Sequence, residues 1–295
     1  MKKIFLLFIL CSLFVSCEKE ITMDMPKHDE KYVVEGWIEQ NEYPIVCVTK
    51  NSPYFTTVDS STVMNMIVTN ARVIVNDGVT FDTLSGALID QFPYLAYKGT
   101  KIKGVVGKTY FLKIEVGDEI LASSTTIPAP VPLDSVWFKV EPNKAEDSLG
   151  YLWGSFTDPA GESNYYRLFT KRLGHIQEQD KYYIPVLGSI YEDKFFNGQS
   201  FTFSMMRGVK IYSDEENNDL AFSYFKSGDT IVLKASTIDE ANYNFWRAAE
   251  QDIHTNGNPF VSPVTIISNI EGGLGIWGGY GVSYDTVITK YELLK

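Results

Sequence analysis

Hydrophobic and polar residues alternate in short runs over residues 31–126, and none of these runs follows the period of a helix. The runs are rich in β-branched and aromatic residues, which favour extended strands. Asn76-Asp77-Gly78 and Gly117-Asp118 each separate two runs, and these residue types accept the positive φ of a tight hairpin turn. The predicted strands are 31–38, 44–49, 67–75, 79–84, 108–116 and 119–127. The N-terminal part of the chain is therefore predicted to be all β.

Alternating prolines mark a boundary at residues 127–132, where the sequence reads Ile-Pro-Ala-Pro-Val-Pro. Proline fixes φ and has no backbone N–H to donate to a sheet, so this segment favours an extended polyproline conformation. We expect a short, stiff linker here that restricts the relative orientation of two domains.

Strand-like runs return after the linker and are interrupted by one segment with the period of a helix. The predicted strands are 133–140, 151–157, 164–173, 181–187, 199–206, 230–236, 264–270 and 283–292. Between residues 239 and 255, apolar side chains recur at every fourth position. These are Ala241, Phe245, Ala249 and Ile253. The pattern predicts a single amphipathic helix that packs on the second sheet.

Together these patterns predict a mainly β protein of two domains. The first, over residues 31–126, is expected to be an immunoglobulin- or transthyretin-like sandwich. The second, over residues 133–295, is expected to be either another β-sandwich or a barrel-like domain, with the one helix near 239–255.

The N-terminus has the composition of an export signal. Lys2 and Lys3 precede an apolar run at residues 4–15, which is too short for a membrane-spanning helix. The run ends in Phe-Val-Ser-Cys17, which resembles a bacterial lipobox with Phe where Leu is usual. We predict a signal peptide at 1–16, lipidation of Cys17 and a lipidated tether at 17–30; the alternative is a conventionally cleaved signal with Cys17 incidental.

Charge and composition exclude several classes of function. The chain has 26 basic and 37 acidic side chains, a net charge of −11, whereas a nucleic-acid partner requires a basic surface. Only three His and three Cys occur, too few and too scattered for a structural zinc site or a disulfide framework. We expect no nucleic-acid partner, no metal, no cofactor, and contact with a membrane only through the lipid anchor.

One literal cofactor motif occurs, at Gly273-Leu-Gly275-Ile-Trp-Gly278. A dinucleotide site needs this motif at a turn from a strand into a helix, with an acidic residue about 20 positions further on. The chain ends too soon for either. We expect these glycines instead to permit tight turns and close backbone approach around Trp277 and Tyr280.

Catalytic candidates are weak. The sequence has no G-x-S-x-G nucleophile motif, and Cys47 lies in an apolar strand where it is expected to be a small buried hydrophobe. The acidic stretch at 214–219 does not fit an EF-hand and is expected to be a solvated loop. We predict that the protein is not an enzyme; the alternative is a hydrolase with dispersed acids such as Asp158 and Glu162.

The chain is rich in aromatic residues, with 18 Phe, 18 Tyr and 5 Trp. Some of these rings are expected at loop tips, where rigid amphipathic side chains make good contact surfaces. The candidate partner-binding residues are Trp277, Tyr280, Tyr182 and Tyr183. The alternative, that Trp277 and Tyr280 simply belong to the core, stays open.

Two C-terminal stretches carry a family resemblance: Asn258-Pro259-Phe260-x-x-Pro263, and residues 268–280 with their run of glycines and aromatics. They resemble the end of a Bacteroidota lipoprotein family described as domain of unknown function 4249. Shorter pieces agree in order along the chain, at 34–37, 127–136, 164–167, 197–198 and 228–229. The resemblance implies an outer-membrane lipoprotein often associated with TonB-dependent transporters, and it implies no catalytic residues.

The expected function is a surface accessory or binding subunit of a TonB-dependent nutrient uptake system. An outer-membrane transporter is the expected partner, and a small molecule or a glycan could be the ligand. The alternative is a structural or adhesive envelope module that binds protein or glycan without import. Glu18-Lys19-Glu20 follows Cys17 directly, and in such lipoproteins acidic residues there accompany surface exposure, so we expect the cell surface, with the periplasmic face as the alternative.

Overall fold

The computed structural model describes residues 29–53, 59–90, 93–144, 148–174, 182–208, 223–255 and 264–290. The predicted signal peptide, Cys17 and nearly all of the predicted tether lie outside these ranges. The acidic stretch at 214–219 and the motif at 258–263 also lie outside them.

The described part of the chain is mainly β, as predicted, with sixteen strands and two α-helices. The strands are β1 Tyr32–Glu39, β2 Ile45–Lys50, β3 Arg72–Asn76, β4 Phe81–Thr83, β5 Ser85–Leu88, β6 Leu95–Lys98, β7 Thr109–Val116, β8 Glu119–Thr126, β9 Ser135–Val140, β10 Leu149–Thr157, β11 Tyr165–Leu173, β12 Ile184–Glu192, β13 Ser200–Met205, β14 Phe225–Lys226, β15 Thr230–Ile238 and β16 Leu274–Ile288. The helices are α1 Ser60–Met66 and α2 Glu240–Thr255. The helix predicted near 239–255 is confirmed as α2, whereas the short α1, β5 and β6 were not anticipated.

The strands form one large sheet and two small ones. The central sheet has eight strands in the order β12-β11-β15-β16-β1-β2-β6-β5. One small sheet has the order β4-β3-β7-β8, and in the other β10 pairs with β9, β13 and β14. Both small sheets cover the same face of the central sheet, which makes a sandwich in each half of the chain.

Two hydrophobic cores fill the space between the central sheet and the small sheets. The first core contains Val34, Ile38, Trp277, Val73, Tyr110, Ile114 and Leu121. The second core contains Leu152, Phe156, Tyr166, Leu168, Phe203, Ile231 and Leu233. Because side chains alternate along a strand, the even-numbered residues Tyr280 and Val282 of β16 face the other side, where helix α2 packs.

Strand β16 is common to both halves of the chain. Its residues 274–280 pair in parallel with β1, and its residues 280–288 pair antiparallel with β15. Tyr280 is the residue that pairs on both sides, with Glu39 and with Ile238. The linker at 127–132 therefore separates the two halves along the sequence, while in space one continuous strand joins them.

The glycine-rich segment differs from its prediction. The glycines around Trp277 and Tyr280 were expected to permit tight turns, but those from Gly275 to Gly281 lie within the fifteen-residue strand β16. The predicted strand at 264–270 is not a strand; instead the side chain of Asn269 binds the backbone N–H and C=O of Trp277, at 2.9 and 2.8 Å. An amide side chain thus satisfies backbone groups of β16 that a neighbouring strand would otherwise bind.

The expectation of close backbone approach at these glycines is confirmed. Gly275 has φ of 112°, and a Cβ atom there would lie 1.9 Å from the carbonyl oxygen of Val34. On the facing strand, a Cβ atom at Gly36 would lie 2.8 Å from the ring of Trp277. Only glycine allows β16 to pass this close to β1 at Gly275 and leaves room for the indole of Trp277 over Gly36.

Replacing Gly275 by Val should lower the melting temperature by about 5 °C or more, because the side chain adds a steric clash to an unfavourable positive φ. The matched control is Gly86→Val, since Gly86 is exposed in β5, has no positive φ, and has no atom within 4 Å of the point where a Cβ would lie. Circular dichroism melts of both variants and the wild type measure the difference. Equal melting of Gly275→Val and Gly86→Val would contradict the assigned close contact.

Candidate functional site

Charged and aromatic side chains from both halves of the chain meet on the face of the central sheet that carries helix α2. The pairing of β1, β16, β15 and β11 places alternate residues of all four strands on this face. They include Glu35, Trp37, Glu39, Tyr280, Tyr284, Lys234, Arg167 and Phe169. Helix α2 lies over them, and its Asn242 is fully buried against Gly278.

Lys234 is a buried cation with a counter-ion. Its ammonium group forms an ion pair with Glu39, and both side chains are largely removed from solvent. The ammonium also lies near the rings of Phe169, Tyr183 and Tyr280, at 4.8, 5.4 and 5.9 Å from their centroids. A buried charge of this kind is tolerated because it is paired, and the aromatic faces add cation–π attraction. The pair also joins β1 of the first half to β15 of the second.

Arg167 is a second buried cation, only 6% exposed, but it forms no ion pair with any described residue. Its guanidinium lies 3.6 Å from the ring centroid of Trp246 and 4.9 Å from that of Phe169. One Nη atom donates a long hydrogen bond of 3.5 Å to the hydroxyl of Tyr280, and the buried Nε has no hydrogen-bond partner among the described residues. Buried arginines are normally paired, so Arg167 retains unused capacity to bind an anionic group.

Glu35 is the carboxylate that interacts electrostatically with Arg167. Its side chain is exposed to solvent on this face, and it forms neither an ion pair nor a hydrogen bond with a described residue. Although part of the residue is accessible, the protein atoms packed around the carboxylate reduce its hydration and raise its pKa. The positive charge of Arg167 lowers the pKa of Glu35 by a smaller amount. Glu35 and Arg167 therefore influence one another electrostatically and form no ion pair.

Tyr280 connects the helix to these charges. Its hydroxyl accepts hydrogen bonds from Trp246 Nε1 at 3.1 Å and from Arg167, and it donates to Asn242 Oδ1 at 3.4 Å. Burial raises the pKa of Tyr280, so the phenol stays neutral near pH 7. The hydroxyl thereby links Trp246 and Asn242 of helix α2 to the Arg167 side chain.

The structure buries two of the four aromatic residues proposed to bind a partner. Trp277 is 0% exposed and its indole N–H donates to the Tyr110 carbonyl at 3.1 Å, so it belongs to the first core. Tyr280 is 5% exposed and lies below helix α2. Neither ring is available as an exposed contact surface, which corrects that expectation and agrees with the alternative of a core role.

The other two proposed aromatic residues are half-buried just before the start of β12. The ring of Tyr183 packs on that of Tyr284 at 5.8 Å between centroids and lies beside Lys234. The structure thus brings Tyr183 and Tyr280 together around one ammonium group. Tyr182 is half-buried too, and no ring contact or hydrogen bond among the described residues joins it to Lys234, Tyr183 or Tyr280.

Two of the three side chains considered for catalysis, Asp158 and Cys47, are buried in the fold. Asp158 is 2% exposed; its carboxylate accepts hydrogen bonds from the Tyr166 hydroxyl and from the Gly198 N–H at 3.0 Å, whereas Glu162 is exposed. Cys47 is buried as expected, and burial together with Glu35 raises the pKa of its thiol to about 12. Within the described ranges, no group of three or more His, Cys, Asp or Glu side chains is arranged to hold a metal ion.

Sequence reasoning missed Arg167, Glu35, Lys234, Glu39 and Trp246. A partial signal was present, because Lys234 is the one charged residue of β15, and Arg167 lies between Tyr166 and Leu168 in β11. A charge at such a position is either buried with a partner or kept for binding.

The raised pKa of Glu35 predicts a pH-dependent penalty on stability. A carboxyl group with a raised folded-state pKa binds its proton more tightly in the folded protein, so stability falls as pH rises from about 4.5 through that raised value. Glu35→Gln should therefore melt at a higher temperature than the wild type at pH 8, and the difference should shrink at pH 4. Thermal melts of both proteins across this pH range measure it.

Glu115→Gln is the matched control with the opposite sign. Hydrogen bonds from Lys113 and Arg72 lower the pKa of Glu115, so its carboxylate stabilises the fold above the ordinary pKa of 4.5 and loses this effect in acid. Its replacement should lower the melting temperature at pH 8 more than at pH 4. If Glu35→Gln shows the same sign, or no pH dependence, the assigned environment of Glu35 is wrong.

The model of the family described as "Domain of unknown function (DUF4249)" matches residues 18–286, nearly the whole chain. No curated protein matches the chain at a significant level. The matched range contains all but the last two residues of the central sheet and the whole charged cluster of Glu35, Glu39, Arg167 and Lys234. The chain therefore belongs to the family that shares this domain of unknown function.

Proposed function

We propose that the protein is a lipid-anchored component of the cell envelope that serves as a surface accessory or binding subunit of a TonB-dependent outer-membrane uptake system. The Phe-Val-Ser-Cys17 sequence and the family resemblance support the anchor. The family match begins at residue 18, directly after the cysteine proposed to carry the lipid. Outer-membrane placement and the transporter partner follow from the resemblance.

The observation that carries the anchored role is the position of β1. The chain enters the fold at this strand, which lies inside the central sheet rather than at its edge. It pairs with β16 over seven residues and with β2 over six. A force applied through the N-terminus loads the hydrogen bonds on both sides of β1 in shear, so many bonds must fail together.

Side-chain contacts also hold residues 29–31, directly before β1. The side chain of Asn51 accepts a hydrogen bond from the N–H of Lys31 at 2.7 Å and donates to the carbonyl of Asp29 at 3.2 Å. Lys50 forms an ion pair with Glu30 at 2.6 Å. These contacts hold the last two residues of the predicted tether, Asp29 and Glu30, together with Lys31, and suit a protein retained by its N-terminus.

Among the described residues, no helix has both the length and the apolar character needed to cross a bilayer.

A binding role, rather than catalysis, is supported by the charged cluster. Arg167 has a buried donor with no partner among the described residues, and Glu35 is exposed on the same face of the central sheet. Groups of this kind suit recognition of a polar ligand.

Labelling cells with a clickable fatty acid tests the anchor. The wild type should carry the label, and Cys17→Ala should lose it, because Cys17 is the proposed acceptor. Cys47→Ala is the matched control: Cys47 is a buried thiol in β2 and its loss should leave the label in place. Retention of label by Cys17→Ala would refute lipidation at that residue.

Cells that express the wild type, Cys17→Ala or Cys47→Ala also test whether a transporter is the partner. After mild solubilisation and affinity capture, mass spectrometry should detect a TonB-dependent transporter enriched with wild type and Cys47→Ala, and depleted with Cys17→Ala. Co-purification of pilus or adhesion components without a transporter would contradict the uptake role and favour the adhesive alternative.

A further inference from the structure

We propose that the outer face of the small sheet formed by β9, β10, β13 and β14 binds a neutral glycan, whose sugar rings pack on Trp137 and Trp153. This inference rests on the proposed role as a binding subunit and supplies the class of its ligand. Three features carry it: a pair of nearly parallel indole rings, hydroxyl side chains in the adjacent row, and the small number of charges on this face.

The indole rings of Trp137 and Trp153 lie next to each other on the outer face. Alternate residues of β10 are buried in the second core, and Trp153 belongs to the set that points outward. Trp153 pairs in register with Trp137 of β9, with 6.3 Å between the ring centroids and 19° between the ring planes. Trp137 is 37% exposed. Two nearly parallel rings at this separation overlap little, so together they form one elongated apolar surface.

Two tyrosines extend this aromatic surface into the next row. Tyr151 lies two residues before Trp153 in β10 and therefore points to the same face. Its ring lies 5.0 Å from that of Tyr224, measured between centroids. Successive rows on one face of a strand are about 7 Å apart, a distance comparable with the length of one sugar unit. The two rows therefore offer rings to successive units of an oligosaccharide.

Hydroxyl side chains occupy the row on the other side of the tryptophans. Ser155 pairs with Ser135 of β9 and with Thr202 of β13, and Ser204 of β13 pairs with Trp153. The hydroxyls of Ser135 and Ser155 hydrogen-bond to each other at 2.7 Å. Those of Thr202 and Ser204 are exposed and form no hydrogen bond with a described residue. They are therefore free to bind sugar hydroxyl groups beside the rings.

The composition of the face matches a sugar. A pyranose ring presents C–H groups on its face and hydroxyl groups around its edge, which suit aromatic rings bordered by Ser and Thr. Tyr and Trp supply rigid contact area, and short hydroxyl side chains supply adaptable hydrogen bonds.

Charge argues against an anionic ligand. In the three rows that contain Tyr151, Trp153 and Ser155, Lys139 is the one charged side chain among the described residues. Its ammonium group lies 5.5 Å from the ring centroid of Trp153, so it already makes a cation–π contact. An anionic membrane surface attracts clusters of basic side chains, which these rows do not supply.

A glycan array is the first test. The full chain is purified in a detergent without a sugar head group, so that the detergent does not compete for the face. The array carries neutral glucans, mannans, xylans and galactans, together with uronic-acid and sulfated glycans. The protein should bind at least one neutral glycan. Binding to none of these glycans, or only to charged ones, overturns the proposal.

Variants then locate the site by calorimetric titration with a soluble oligosaccharide of the neutral glycan that the array identifies. Trp137→Ala should weaken binding at least about tenfold, because it removes one of the two indole rings. Phe111→Ala is the matched control and should bind normally, since Phe111 is an exposed ring on the outer face of the other small sheet.

Ser204→Arg gives a second test that does not depend on removal of a ring. Ser204 is exposed next to Trp153, so the fold can accept a longer side chain there. The added guanidinium should cover the indole and weaken binding at least about tenfold. Circular dichroism melts identify which variants are folded.

The proposal is overturned if either Trp137→Ala or Ser204→Arg is folded and binds the oligosaccharide normally, or if Phe111→Ala weakens binding as much as they do. If folded Trp137→Ala loses the transporter in the cellular capture but keeps its glycan affinity, the face belongs to a protein partner and the proposal is likewise overturned. Lipidation and capture of the transporter by the wild type do not depend on glycan binding. Failure of the ligand assignment is therefore distinguishable from failure of the proposed envelope function.

Discussion

The double pairing of β16 is the interaction on which the rest of the structure depends. The first seven residues of this continuous strand pair with β1 and its last nine pair with β15. Tyr280 belongs to both ladders. The two sandwiches, each with its own core, thereby share a sheet. Trp277 extends this connection, because a residue late in the chain fills the core of the N-terminal half.

The candidate site exists only because of this shared strand. Glu35 and Glu39 come from the first half, whereas Arg167 and Lys234 come from the second. Crossing from β1 through β16 to β15 brings the carboxylates and the cations to one face, where Tyr280 and helix α2 hold the Arg167 side chain. In either half alone, Glu39 or Lys234 would lose its counter-ion, so fold and site depend on the same pairing.

Local patterns in the sequence predicted most of the strands and helix α2, because alternation and a four-residue repeat reflect burial within one element. They predicted the last part of β16, within the predicted strand at 283–292, but not its first part. Its glycines interrupt the apolar alternation, since the strand must pass close to Val34 and Trp277 must pack against Gly36. Its partner β1 lies at the opposite end of the chain, and no local signal encodes a parallel pairing over that distance. The sequence showed Lys234 as the one charge of a predicted strand, but its ion pair with Glu39 could not be predicted without knowledge of this pairing.

Native-state hydrogen exchange tests the shared strand most directly. If β16 makes the two halves one cooperative unit, the slowest amides of β1 and of β15 should exchange with the same free energy of opening, equal to that of global unfolding. If the slowest β15 amides open at a substantially lower free energy while β1 stays protected, or the reverse, the halves unfold independently and β16 does not unite them.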